Sequence, residues 1–163
     1  MGELTPALLD ALRKRADDPL RFIDMPELSE FRRFPPATHA HLDRDSRQIG
    51  ILIPSVLRTV YVEVANGGFG PGYGLLGVDS GATDDSGANM ERAYELLSAP
   101  DPEVPDWEWL EGGLPCCYRG CQVYSCVMPD GLVVQLDGYE WGREAVPITE
   151  WLSRWADGRL DPS

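Results

Sequence analysis

Ile53-Pro54-Ser55-Val56-Leu57-Arg58-Thr59-Val60-Tyr61-Val62-Glu63-Val64-Ala65-Asn66-Gly67-Gly68 is the stretch on which the fold turns. Val56, Leu57, Val60, Tyr61 and Val64 recur at helical spacing, although Val and Thr are β-branched and individually favour strand. Period, length and punctuation decide for a helix. Pro54 suits a first turn, and Asn66-Gly67-Gly68 supplies residues able to take the left-handed conformation that closes a helix. After Phe69-Gly70-Pro71-Gly72, residues Tyr73 to Val78 predict a strand.

Outward from this helix, the N-terminal side opens with Thr5 as cap and Pro6 at the first helical position, Leu8, Leu9 and Leu12 on one face, and Asp17-Asp18-Pro19 as a stop. A short helix is expected over Pro26 to Arg33. Pro35-Pro36 forces extended chain, and His39 to Gln48, polar and without periodicity, reads as a connector. On the C-terminal side, Ser86 or Asn89 can cap a helix from Met90 to Leu97. Pro100, Pro102 and Pro105 then hold an extended loop. From Trp107 the pattern changes to strands at Leu114–Tyr118, Cys121–Met128 and Leu132–Asp137, with a Pro129-Asp130-Gly131 turn. Thr149 is expected to cap a last helix that turns Trp151, Leu152 and Trp155 inward and ends at Gly158. Helices with short, sequential and hence antiparallel strands predict an α+β class, the helices lying mainly on one face of the sheet.

The 163 residues carry 27 acidic against 14 basic side chains, a net charge of -13. The length suits one domain with a real core. The charge sign argues against nucleic acid or an anionic membrane as partner and favours a basic protein. From Asp79 to Glu111 ten acidic residues face a single Arg92, so this stretch alone carries -9. A solvated surface is the ordinary reading of such a run, and a docking surface for a cationic protein is the sharper one. Asp84, Asp85, Glu103, Asp106 and Glu108 are the candidate partner-binding residues. Met1 to Asp10 is acidic and no run reaches the ~20 apolar residues of a spanning helix, so a cytoplasmic location is expected.

Candidate chemistry is thin. Cys116, Cys117, Cys121 and Cys126 lie close together but form no Cys-x-x-Cys pair, and neighbouring residues of a strand point to opposite faces, so four thiolates do not converge on a tetrahedral metal. His39 and His41 lie far off in sequence. A metal-binding or thiol-redox protein built on the four cysteines is the alternative reading; reduced, partly buried thiols packed like alanine are the simpler one. A cysteine nucleophile needs a base, and no histidine falls near. The glycine-rich run Asn66 to Gly74 leaves a helix and enters a strand without a lysine, the reverse of a phosphate loop. Of the five tryptophans, most are expected in the core and one at an interface. No catalytic residue, metal or cofactor is assigned.

The order Ile53-Pro54 before a helix, then Tyr61, Asn66-Gly67-Gly68, Gly70-Pro71 and Gly74-Leu75-Leu76-Gly77, resembles the SUKH superfamily, which includes Smi-Knr-like cell-wall-assembly regulators and many bacterial immunity proteins. Leu114-Pro115-Cys116, Gly120-Cys121, Tyr124-Ser125-Cys126 and a returning strand ending at Asp137 look like that family's central sheet, and Ile148 to Trp155 like its closing helix. The likeness covers roughly Gly50 to Gly158. It implies a SUKH-like domain over residues 49–163, with residues 1–48 as a helical extension packed on it. It further implies a non-catalytic protein-binding domain, monomeric or weakly dimeric, that neutralises a toxin-like basic partner such as a nuclease or serves as a regulator. An acidic inhibitor fits a nuclease because it presents carboxylates where the toxin expects phosphates.

Overall fold

The computed structural model describes residues 3–18 and 34–159; the helix expected over Pro26 to Arg33 lies outside them. Five helices and five strands run in the order α1 (Pro6–Asp17), α2 (His39–Ile49), α3 (Ser55–Glu63), β1 (Gly74–Leu75), α4 (Met90–Ser98), β2 (Leu114–Gly120), β3 (Val123–Val127), β4 (Leu132–Asp137), β5 (Glu140–Pro147) and α5 (Ile148–Ala156). The strands form one antiparallel sheet in sequence order, so the class is α+β as the pattern predicts.

Helix α1 starts where the sequence places it. Thr5 Oγ1 accepts the Leu8 N–H at 3.1 Å and Pro6 takes the first position. Helix α3 buries Val56, Leu57, Val60 and Tyr61 behind an N-cap at Pro54. Helix α5 buries Ile148, Trp151, Leu152 and Trp155, a stripe three and four residues apart that suits a single core-facing side. Its N-cap is Pro147, not Thr149, which sits inside the first turn; strand β5 runs directly into the helix, and the Ile148 N–H is met by Gly131 O at 3.0 Å.

Residues His39 to Ile49 are helical, where a connector was expected. Thr38 Oγ1 accepts the His41 N–H at 3.2 Å and His41 Nδ1 accepts the Thr38 N–H at 3.3 Å, a reciprocal cap with histidine in the usual place of glutamate. Gly50, at φ +81°, closes the other end. The helix buries only Leu42 and Asp45, so it has no apolar stripe for periodicity to detect.

Helix α3 ends at Glu63, and Asn66-Gly67-Gly68 follows as a separate joint. Asn66 Oδ1 accepts the Val78 N–H at 2.8 Å, its Nδ2 donates to Asp79 O at 3.1 Å, and its own carbonyl accepts the Ala82 N–H at 3.0 Å. Gly67 has φ +81°, and a Cβ there would lie 2.5 Å from Leu75 O. The strand expected over Tyr73 to Val78 is reduced to Gly74–Leu75, because Tyr61 takes the Leu76 carbonyl and Asn66 takes the Val78 N–H that a longer strand would pair.

Strand β5 has no apolar alternation and was not expected; a two-residue turn, Gly138-Tyr139, folds it back on β4 with Asp137 opposite Glu140. One buried cluster joins α1, α2, α3, α4, α5, Phe69 and the inner residues of β2 to β4, so the helices before residue 49 share the core of the rest. Phe69 meets Trp155 at 5.7 Å between ring centroids, and Arg15 lies 5.6 Å over the Trp155 ring.

Candidate functional site

Residues opposite one another in an antiparallel sheet project from the same face. Tyr118 pairs with Tyr124, Tyr124 with Leu136, and Leu136 with Trp141, giving one row across β2 to β5. The acidic segment between α4 and β2 settles against the Trp141 end of this row. Trp107 stacks on Trp141 at 6.1 Å with 11° between planes, and Trp109 meets it edge-on at 5.1 Å. Tyr139 and Tyr94 extend the cluster, edge-on to Trp107 at 5.2 Å and to Trp109 at 5.9 Å. Trp151 and Trp155 are core, but Trp107, Trp109 and Trp141 form a half-buried surface cluster, so two of the five tryptophans are buried where most were expected to be.

Each surface indole is anchored by its N–H. Trp107 donates to Leu97 O at 3.0 Å, Trp109 to Gly113 O at 3.2 Å and Trp141 to Glu108 O at 3.1 Å. The loop is not extended, as its prolines suggested, but folds through two consecutive turns closed by Val104 N–H to Asp101 O at 3.0 Å and Trp107 N–H to Val104 O at 2.9 Å. Glu103, Asp106, Glu108 and Glu111 therefore stand exposed on a segment whose rings and backbone are fixed.

Asp84 and Asp85 belong to the other end of the row. Asp84 Oδ1 accepts the Ser86 N–H at 2.8 Å, the Ser86 hydroxyl at 2.6 Å and the Ala88 N–H at 2.9 Å, while Oδ2 accepts the Tyr124 hydroxyl at 2.7 Å. Burial pushes this carboxyl up, but the donors from Ser86, Ala88 and Tyr124 outweigh it and hold Asp84 below the usual carboxylate range. The residue is buried, its carboxylate spent inside the protein. Asp85 is exposed and accepts the Tyr118 hydroxyl at 2.9 Å. Burial and then the Asp85 carboxylate raise the Tyr118 phenol to about 12, and burial with Asp84 raises Tyr124 further, so both act as fixed donors.

Between the end of α4, the acidic loop and the β4–β5 turn lies a groove of about 350 Å³, lined among others by Leu97, Pro100, Asp101, Trp107, Tyr124 and Tyr139. Asp101 is held from two sides, by the Tyr139 hydroxyl and by the Glu103 N–H at 2.9 Å, and these donors lower its carboxyl below the ordinary value. Asp101, Tyr124 and Tyr139 carry no common signal in the sequence, because they meet only where the acidic loop folds against β3 and the β4–β5 turn.

The cysteines do not converge. Cys116 lies at an irregularity between Pro115 and Cys117, and both it and Cys117 are buried; Cys121 sits at φ +49° in the turn after β2 and not in a strand. Burial pushes the thiols of Cys116, Cys117 and Cys126 up, Cys117 to about 12, which keeps them protonated near neutrality. Among the described residues no group of His, Cys, Asp and Glu side chains is placed to hold a metal ion, and no helix is long and apolar enough to cross a membrane.

No family model, curated protein or solved structure matches the chain.

Proposed function

We propose that the chain is a non-catalytic protein-binding domain of the SUKH kind, an immunity-type or regulatory protein that docks a basic partner against its acidic loop and the half-buried aromatic cluster beside it. The observation that carries this reading is the anchoring of that loop by three indole N–H groups. Flexible charge runs are ordinary solvated surface, whereas carboxylates on a pinned backbone are preorganised for a partner and lose little entropy on binding. Glu103, Asp106, Glu108 and Asp85 supply exposed carboxylates, and Asp84 acts from behind by fixing Tyr124.

The family part of the reading is supported by the element order: an Ile53-Pro54 entry to α3, the Asn66 joint, an antiparallel meander and a closing helix. A toxin with a basic nuclease cleft is the partner such a surface suits, since opposite charge steers encounter and the carboxylates take the place of phosphates. The function needs no cofactor, and a cytoplasmic monomer or weak dimer would perform it.

Co-purification with the product of the adjacent coding sequence, at low and at high salt, tests the reading. Capture is expected to weaken as salt rises, and a Glu103→Gln, Asp106→Asn, Glu108→Gln triple variant to associate roughly tenfold more slowly. A triple variant that binds as tightly and as quickly as the native chain would refute docking at this loop.

A further inference from the structure

The groove beside the acidic loop has features that a merely negative surface lacks. Trp107, Tyr124 and Tyr139 contribute rings to its lining, and the polar tip of each already has a partner within the protein: the indole N–H with Leu97 O, the two hydroxyls with Asp84 and Asp101. What these rings still offer a ligand is their aromatic surface, which attracts cations. The one carboxylate in the lining, Asp101, has each oxygen occupied by a single donor, leaving a further lone pair on each. Both donors fix its orientation and favour its charged form. The exposed Glu103, Asp106 and Glu108 on the same loop add to the negative field around this opening.

Resting on the docking reading above, we propose that this groove receives an arginine side chain of the protein partner, its guanidinium laid against the Trp107, Tyr124 and Tyr139 rings and paired with Asp101. Arginine is favoured over lysine because a planar, weakly hydrated guanidinium stacks on rings and meets a carboxylate with two parallel donors, whereas an ammonium is a strongly hydrated point charge. An anionic ligand is opposed by Asp101 and its neighbours. An apolar side chain would leave the oriented carboxylate desolvated and unanswered.

Octa-arginine and octa-lysine peptides, titrated into the intact protein at low ionic strength and followed by calorimetry and tryptophan fluorescence, separate this inference from the docking reading. Octa-arginine is expected to bind roughly tenfold more tightly than octa-lysine and to perturb the fluorescence. Tyr139→Ala, which removes one wall at an exposed turn residue without changing charge, is expected to abolish that preference by weakening octa-arginine far more than octa-lysine. Tyr139→Phe keeps the ring and is expected to retain most of it, which guards against a fold defect in the alanine variant. Glu111→Gln, outside the groove lining, should weaken both peptides equally. Equal affinities in the native protein, or a preference that survives Tyr139→Ala, would overturn the groove assignment and leave acidic docking standing. Failure of both peptides to bind would overturn the two together.

Discussion

The Tyr124 hydroxyl donates to Asp84 Oδ2 at 2.7 Å, tying the centre of the sheet to the loop that leads into α4. The other Asp84 oxygen caps Ser86 and Ala88, so this carboxylate organises the loop from both sides. Tyr124→Phe is expected to cost about 1–2 kcal/mol in urea unfolding, and Asp84→Ala about 3 kcal/mol, since the latter strands several donors at once. The pH dependence has a definite sign. Asp84 titrates below its ordinary value when folded, so its contribution is full above about pH 4 and fades as pH falls through the folded value. The native chain should therefore lose stability below that pH more steeply than Asp84→Asn, and parallel acid-unfolding curves would contradict the assignment.

Asp45 has the opposite sign. It is fully buried on α2, and neither carboxylate oxygen makes a well-formed hydrogen bond, the Asp79 backbone giving only slight relief. Burial, then Glu91 across on α4, raise it from 3.8 to about 6, against the relief given by Arg44. Between about pH 4 and 6 the folded state holds a proton that the unfolded state has released, so stability falls as pH rises through this window and stays lower above it. Asp45→Asn should be more stable than the native chain at pH 8, by about 2 kcal/mol, and match it more closely near pH 4. Urea midpoints for the two proteins at both pH values check this; a variant no more stable than the native chain at pH 8 would remove the idea.

Helices α3 and α5 were legible because each carries four buried apolar residues at helical spacing, and the β2–β4 meander because short apolar runs flank Gly120 and the Pro129-Asp130-Gly131 turn. Helix α2 was not, since its cap uses a histidine and its buried face holds one leucine and a carboxylate. Strand β5 was not, because Glu140 to Pro147 is nearly all exposed and its strand state comes from pairing with β4. The acidic loop was visible as a charge excess, but the groove was not. Asp101 and Tyr139 lie 38 residues apart, and only the hairpin turn brings them into contact.

Asn66 shows the same division at one residue. Its place before two glycines was read as a helix end, whereas its side chain bridges the loop to Val78 and Asp79. Asn66→Ala is expected to cost about 3 kcal/mol, because it leaves a buried N–H and a carbonyl without partners. Gly67→Ala should cost at least about 2 kcal/mol, its Cβ meeting Leu75 O at 2.5 Å in a left-handed backbone. Thermal unfolding ranks the two against Gly138→Ala, which shares the left-handed backbone at φ +60° but has open space around its Cβ, so that the excess cost of Gly67→Ala reads the clash. If all three shifted the midpoint equally, the joint would not be the constraint described.

The thiols give a test that also weighs the metal and redox alternative. Cys116, Cys117 and Cys126 are buried and protonated near neutrality, while Cys121 is exposed in the β2–β3 turn. A thiolate must both form and be reached to react, so an aromatic disulfide reagent should label one thiol rapidly in the native protein and all four on denaturation. Cys121→Ser should abolish the rapid phase without lowering stability beyond about 0.5 kcal/mol, as expected of a surface site. Elemental analysis should then find no stoichiometric zinc or iron. Stoichiometric metal lost together with rapid labelling of several cysteines would replace the protein-binding reading with a metal or thiol function.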